Sequence, residues 1–202
     1  MQNATLIALV VGSAGLASCA ASEPTRAAVP ERSAPTVSIE AQVDELVRAS
    51  APREGHRALD PLVGHWSVTL SDVHGGGRET ELARGHATIA WVLDGRFLRW
   101  DAELAIAGEP RHTTGYLGFD KRGGVYELLM ISNLATGMSV AQGSGDLARS
   151  GIRFQLEQAD PSSGSILRMQ SRLALMTHDH FALDQLADDG RIVRRTHYRR
   201  AL

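Results

Sequence analysis

Residues 96–107, with the sequence RFLRWDAELAIA, decide the fold class of this chain of 202 residues. Apolar side chains occupy every second position of the stretch: Leu98, Trp100, Ala102, Leu104 and Ile106. The positions between them carry charges: Arg99, Asp101 and Glu103. Since successive side chains of a strand point to opposite faces, this period of two predicts a β-strand with one face toward a core and one toward water.

Similar short runs recur along the chain and are separated by turn signals. We predict ten strands, near residues 65–71, 83–93, 96–107, 111–120, 125–132, 138–146, 152–158, 166–176, 180–187 and 192–200. Asp94-Gly95 and Asp189-Gly190 are typical of tight hairpins, and the Gly- or Pro-containing segments 121–124 and 160–164 predict further turns. With no long helical crossover, the pattern predicts an all-β fold, an up-and-down antiparallel β-barrel of about ten strands, because closure removes exposed strand edges.

A short amphipathic helix is predicted before the barrel. Ser38 is a suitable N-cap, and Pro52 follows the end near residue 50. One face of this helix is apolar, with Ile39, Val43, Leu46 and Val47. We expect this face to pack on the domain, and recruitment of a partner is the alternative.

The first 37 residues have the composition of a targeting segment and a linker. The apolar run 6–17 is shorter than the roughly 20 residues that span a bilayer as a helix, so it predicts a secretory signal. Leu16-Ala17-Ser18-Cys19 resembles the lipobox of bacterial lipoproteins, which implies cleavage after residue 18 and lipidation of Cys19. The alternative is a soluble periplasmic protein cleaved near residue 20 or 21.

We therefore divide the chain into a lipoprotein signal peptide (1–18), a flexible tether rich in Ala, Pro and Ser (19–37) and the barrel domain (38–202). The expected location is the periplasmic side of the bacterial cell envelope, with a lipid anchor in the outer membrane. The membrane is then a partner through this anchor. Because Cys19 is the only cysteine, a disulfide within the mature chain is excluded.

Composition excludes some classes of function. The net charge is only −2, from 21 basic and 23 acidic residues, so no strong field attracts nucleic acid, and we predict no nucleic-acid partner. The sequence has no phosphate-binding P-loop. The glycine run after His74 lacks an accompanying Gly-x-Ser-x-Gly nucleophile elbow, so an enzyme is not favoured.

Four segments carry a family resemblance: Leu59-Asp60-Pro61-Leu62-Val63-Gly64-His65-Trp66, residues 91–98 (WVLDGRFL), residues 115–120 (GYLGFD) and the closing Tyr198-Arg199-Arg200. Together they resemble the DUF1579 family over about residues 56–200, a family that implies no particular activity. The Gly-His-Trp opening is also similar to that of calycin barrels, including lipocalins and nitrobindin-like haem proteins. In those barrels a Gly-x-Trp begins the first strand and the Trp closes one end. The nitrobindin pattern continues with glycines where residues 67–69 read SVT, so haem binding is not inherited from the resemblance.

A calycin-like barrel of this size has room for side chains or one small ligand. As ligand-binding residues we predict Trp66, Trp100, Tyr116, Arg168, Arg172 and Tyr198. Trp66, Trp100 and Tyr116 are expected to form the wall of a pocket. The two arginines of the eighth strand meet a ligand carboxylate if the interior is wet, and otherwise form a solvated outer face. Fatty-acid-binding barrels place Arg-x-Tyr on the final strand, whereas here Thr196 stands two residues before Tyr198 and Arg194 lies one step further on the same face.

Histidines provide a second hypothesis. His178 and His180 point to one side if the segment is extended, and a metal site needs a third ligand, such as His197, His112 or His86. Three functions therefore stay open: a membrane-tethered periplasmic protein that binds a small apolar or amphipathic ligand, a haem- or metal-binding protein or enzyme that uses the histidines, and an envelope interaction protein with a solid barrel. The identity of any cofactor or metal is unknown from the sequence.

Overall fold

The computed structural model describes residues 38–159 and 166–201. The predicted signal peptide, Cys19, the tether and the turn at 160–164 lie outside the described residues. The chain divides between Gln42 and Val43 into two units, and the barrel belongs to the second, Val43–Leu202.

Three short helical segments precede the barrel. Helix α1 (Ile39–Ala49) begins as predicted, since the Ser38 hydroxyl accepts a hydrogen bond of 3.2 Å from the Ala41 backbone N–H. Helix α2 (Glu54–Arg57) and a 3₁₀ turn (Asp60–Leu62) follow. On α1, Val43, Leu46 and Val47 are between 49% and 68% exposed, so the prediction that the apolar face packs on the domain is wrong for these residues.

The described residues form ten antiparallel strands. They are β1 (Gly64–Val73), β2 (Glu79–Val92), β3 (Phe97–Ile106), β4 (Glu109–Asp120), β5 (Val125–Ser132), β6 (Ser139–Asp146), β7 (Gly151–Ala159), β8 (Ile166–Thr177), β9 (His180–Leu186) and β10 (Ile192–Arg200). Each strand pairs with its neighbours in sequence, and β10 pairs with β1, so the sheet closes. The predicted all-β, up-and-down barrel is confirmed.

Alternation along the strands sends the apolar side chains inward. On β3, Leu98 and Trp100 are buried, whereas Arg99 and Asp101 form an ion pair on the outer face. The backbones of the paired strands β2 and β3 also approach closely at Gly85. A Cβ at this position would collide with the backbone of Glu103 and Leu104. Only glycine fits at this inward position.

One end of the barrel is filled by stacked aromatic rings. Phe181 and Tyr198 stack with ring centroids 4.4 Å apart, and Trp66 meets Phe181 edge-on at 4.7 Å. Trp100 packs edge-on against Tyr198 at 5.0 Å. Such pairs add to the free energy of burial because ring edges and faces carry opposite partial charges. We call this half of the barrel, with its Trp66, Trp100, Phe181 and Tyr198 rings, the packed half.

The 3₁₀ turn seals the packed half. Leu62, the last residue of the turn, is fully buried, and its carbonyl accepts a 2.9 Å hydrogen bond from the Trp66 indole N–H. Above the Trp66 ring lies the Arg200 guanidinium, 4.5 Å from the ring centroid, in a cation–π contact. The Trp91 indole N–H donates to the Asp60 carboxylate at 2.9 Å and fastens the turn to β2. The predicted role of the Gly-His-Trp tryptophan, closing one barrel end, agrees with this arrangement.

Candidate functional site

A cavity occupies the other half of the barrel, which we call the open half. Its volume is about 280 Å³, which would hold about nine water molecules at liquid density. Seven strands contribute the lining side chains, which are Leu70, Leu128, Met130, Ser139, Ala141, Leu156, Met169, Ser171, Leu183, Gln185, Arg194 and Thr196. All come from inward positions further from the 3₁₀ turn than the aromatic stack.

One side of the cavity is apolar. Strands β5, β6 and β7 place Leu128, Met130, Ala141 and Leu156 there. Register brings these residues together, because Leu128 lies opposite Ala141, and Ala141 lies opposite Leu156. We call this side the apolar wall, and it offers contacts to a hydrocarbon group.

The facing strands carry a row of polar side chains. Ser171 on β8 lies opposite Gln185 on β9, Gln185 lies opposite Arg194 on β10, and Arg194 lies opposite Asp72 on β1. We call these four residues the polar row, and Thr196 stands two positions from Arg194 on the same face. Ser171, Gln185 and Arg194 line the cavity, whereas Asp72 does not line it and is the ion-pair partner of Arg194. Polar side chains on one side of a preformed cavity give a ligand both hydrogen-bonding groups and an orientation.

Two contacts define the electrostatics of the polar row. The Arg194 Nε and Nη2 atoms both lie 2.9 Å from one oxygen of Asp72, Oδ1. The Gln185 amide N–H is directed at the Met169 sulfur, 3.7 Å away. Since a thioether is a weak acceptor, this amide has stronger hydrogen bonds available to it than the one it makes.

Three predicted site residues do not line the cavity although they face inward. Trp66 and Trp100 are each 1% exposed, and Tyr198 is 4% exposed, so all three are packed against one another in the packed half. Burial raises the pKa of the Tyr198 phenol above its ordinary value. Their predicted role as ligand-binding residues is therefore corrected to that of a core that fills one end.

Tyr116 lies on the outer face of the barrel. Its neighbour Leu117 is fully buried, and the alternation therefore directs Tyr116 to the outside, where 38% of it is exposed. Tyr116 lies opposite Leu129, which lies opposite Val140, so the three form an apolar row across the outside of β4, β5 and β6. Tyr116 cannot contact a ligand in the open half.

Arg168 and Arg172 also lie on the outer face, which was the second of the two arrangements considered for them. Arg168 pairs with Glu157 at 3.0 Å, and both side chains are largely exposed. Arg172 donates through Nη2 to the Asp184 carboxylate at 2.7 Å. Neither arginine reaches the cavity, because Leu173 beside Arg172 takes the inward position.

Asp184 is the centre of a charged network that sequence reasoning missed. Only 1% of it is exposed, although it lies on the outer face, because Arg172 and Arg195 cover it. Arg195 donates through Nε at 2.6 Å and through Nη2 at 3.2 Å. A signal was present, since Arg195 and Asp184 fall at outward positions of strands that pair directly.

The network continues to two histidines. Arg195 also contacts Glu79 at 3.4 Å, and Glu79 accepts from His197 Nε2 at 2.8 Å. The other ring nitrogen of His197, Nδ1, lies 2.8 Å from Nε2 of His180. Burial, followed by the charge of Arg199, lowers the pKa of His180, so His180 favours its neutral form.

The predicted pairing of His178 with His180 is wrong. Residues 178 and 179 form the turn between β8 and β9, so the segment is not extended, and the His178 side chain is 87% exposed. His197 does lie beside His180, whereas His112 pairs with Glu103 at 3.3 Å. Within residues 38–159 and 166–201, no three His, Cys, Asp or Glu side chains are arranged to hold a metal ion. None of the eight histidines of the chain lines the cavity.

The fold and the site define a class of protein: a closed, ten-stranded, up-and-down β-barrel that is packed at one end and hollow at the other. In the described ranges, no helix is long and apolar enough to cross a membrane. A family model described as "Protein of unknown function (DUF1579)" matches residues 51–200. The chain belongs to the DUF1579 family, as its four sequence segments predicted.

The chain is similar to several solved structures at low sequence identity. Rv2717c from M. tuberculosis has a TM-score of 0.53 and 18% identity, and the match covers 75% of this chain and 100% of that one. The S-type phycobiliprotein lyase CPES from Guillardia theta has a TM-score of 0.46 and 12% identity, covering 77% and 97%. The redesigned β-barrel mFAP0, bound to DFHBI, has a TM-score of 0.36 and 15% identity, covering 69% and 99%. No curated protein matches the chain.

Proposed function

We propose that this protein binds a small amphipathic molecule in the open half of its barrel, at the periplasmic side of a bacterial envelope, where Cys19 anchors it to the outer membrane. The cavity of about 280 Å³ is the observation that carries the binding proposal. This cavity argues against a wholly solid barrel, and its two unlike sides suit a molecule with one apolar and one polar part.

The free energy of apolar burial favours a ligand that covers the apolar wall. Each methylene buried there contributes about 0.8 kcal/mol, and a cavity of this size admits on the order of ten non-hydrogen atoms. Part of this gain offsets the lost translational and rotational freedom of the ligand. The cavity is formed by strands of a closed sheet, so little further ordering of the protein is required on binding.

The proposal of a lipid anchor is based on the sequence. Leu16-Ala17-Ser18-Cys19 supports lipidation at Cys19, and two or three acyl chains on one residue give stable membrane attachment. Mass spectrometry of the mature N-terminal peptide tests it. An acylated Cys19 is expected, and a free amino terminus at residue 20 or 21 would replace the anchor by a soluble periplasmic form.

A cavity-filling variant tests the binding site. Ala141 is 2% exposed and lines the apolar wall, so Ala141→Phe places a phenyl ring in the space that the ligand needs. Ala105 is exposed on the outer face of β3, so Ala105→Phe is the matched control. Native mass spectrometry of protein purified from its host is expected to show a bound small molecule in the wild type and in Ala105→Phe, and none in Ala141→Phe.

The proposal fails if Ala141→Phe is folded by circular dichroism and still carries the same small molecule. That result would place the molecule outside the open half.

A further inference from the structure

We infer that the polar group of the ligand is uncharged, so that the open half selects an alcohol, amide or ester on a hydrocarbon chain over a carboxylate or an amine. This inference rests on the proposed function, because it concerns the ligand of the same cavity.

Charge balance of the polar row is the first argument. Arg194 and Asp72 carry opposite charges, and both guanidinium N–H groups that contact Asp72 meet the same oxygen at 2.9 Å. Arg194 is the charged member of the described cavity lining, and Asp72, which does not line the cavity, offsets its charge as an ion-pair partner, the two side chains being 45% and 35% exposed. A carboxylate placed beside Arg194 is repelled by Asp72, and an ammonium placed beside Asp72 is repelled by Arg194.

The available hydrogen-bonding groups are the second argument. Among the described residues, the acceptor of the Gln185 amide N–H is the Met169 sulfur, 3.7 Å away. An uncharged ligand oxygen is a better acceptor than a thioether, and taking it up costs no change in charge. The hydroxyls of Ser171 and Thr196 line the same cavity and both donate and accept. Neutral oxygen and nitrogen groups match this set.

Another arginine occupies an inward position of the barrel. Arg111 on β4 lies opposite Leu104, but it is not part of the cavity wall. Its Nε is buried with no hydrogen-bond partner among the described residues, so tight binding of decanoate is the result expected if a ligand carboxylate reaches this guanidinium instead.

Three ten-carbon probes separate the possibilities: decanol, decanoate and decylammonium. Calorimetric titration of the purified full chain at neutral pH is expected to give a Kd for decanol at least tenfold lower than for either ion. Asp72→Asn leaves Arg194 uncompensated, so it is expected to improve the decanoate Kd at least tenfold and to change the decanol Kd less than threefold. Glu157→Gln makes the same carboxylate-to-amide change on the outer face and is expected to change none of the three.

Titrations of the wild type decide whether the polar group is uncharged, and those of Asp72→Asn decide whether charge balance is the reason. Equal or tighter binding of decanoate overturns the uncharged group and leaves the proposed function intact, since a ligand still occupies the barrel. Binding of none of the three probes overturns both. If decanol binds best and Asp72→Asn, shown to be folded by circular dichroism, still rejects decanoate, the charge-balance argument is overturned.

Discussion

Replacing Asp184 by Asn tests whether the charged network on the outer face stabilises the barrel. The carboxylate is 1% exposed and accepts from Arg172 at 2.7 Å and from Arg195 at 2.6 and 3.2 Å. The amide is nearly isosteric, so the change removes the negative charge and leaves two guanidinium groups without it. Breaking a buried ion pair costs about 3–5 kcal/mol.

The lower end of that range applies, because the two arginines keep some contact with water. Arg172 is 29% exposed and Arg195 is 17% exposed, so both regain part of their hydration. We therefore expect the free energy of unfolding to fall by about 3 kcal/mol. For a domain of this size the matching decrease in Tm is about 6–12 °C.

Urea titration and thermal melting followed by circular dichroism at neutral pH measure the loss. Glu157→Gln is the matched control, since it breaks the ion pair with Arg168, whose side chains are 83% and 61% exposed. That change is expected to cost about 0–1 kcal/mol. If Asp184→Asn is no more destabilising than Glu157→Gln, the reasoning about the buried carboxylate is refuted.

Three further predictions concern the core and its protonation. Gly85→Ala forces a Cβ into the backbone of β3 and is expected to prevent stable folding. Gly137→Ala, with open space around the added Cβ, is the control and is expected to leave the urea midpoint unchanged. Equal urea midpoints for the two variants would contradict the close approach of β2 and β3. Trp66→Phe removes the donor to the Leu62 carbonyl and is expected to lower the free energy of unfolding by about 1–3 kcal/mol, a loss that urea titration would have to show. Burial lowers the pKa of both His56 and His180 below the ordinary 6.5, so the unfolded chain takes up protons before the folded chain as the pH falls. The contribution of the two neutral histidines to stability is therefore complete above pH 6.5 and is lost as the pH falls through their pKa values in the folded chain. Urea midpoints measured between about pH 7.5 and 5 should therefore decline less steeply in the double variant His56→Gln/His180→Gln, and an unchanged slope would refute the assignment.

The sequence predicts most of the barrel because its signals are local. Strand β3 alternates without exception through its buried residues, and Asp94-Gly95 supplies the turn that joins it to β2. Asp94 and Gly95, the two central residues of this turn, both have positive φ angles, as a type I′ turn requires. Such features act over a few residues, so a single sequence suffices to find them.

The site depends on relations that are not local. Trp66, Trp100 and Tyr198 are inward as expected, but their position along the barrel, in the packed half, follows from how all ten strands are staggered. Tyr116 sits in the run GYLGF, where aromatic and aliphatic residues are adjacent and the inward set is ambiguous until Leu117 is seen to be buried.

Irregularities in strand pairing make the polar row unpredictable from the sequence. The register shifts between Leu70 and Ser71 on β1, and again between Ile192 and Arg194 on β10. Each shift changes which residues lie opposite one another, and neither has a signature in the sequence. The juxtaposition of Arg194 with Asp72 therefore becomes visible only in the folded chain.

The central claim, that a small molecule occupies the open half, is tested most directly at the methionines. Met130 and Met169 line the cavity, whereas Met138 and Met176 are 66% and 49% exposed outside it. In protein with ¹³C-labelled methionine methyl groups, titrated with each ten-carbon probe, a bound probe should give chemical-shift changes and nuclear Overhauser contacts at Met130 and Met169 and none at Met138 and Met176. Changes confined to the two exposed methionines, or no change at any of the four, would contradict the account.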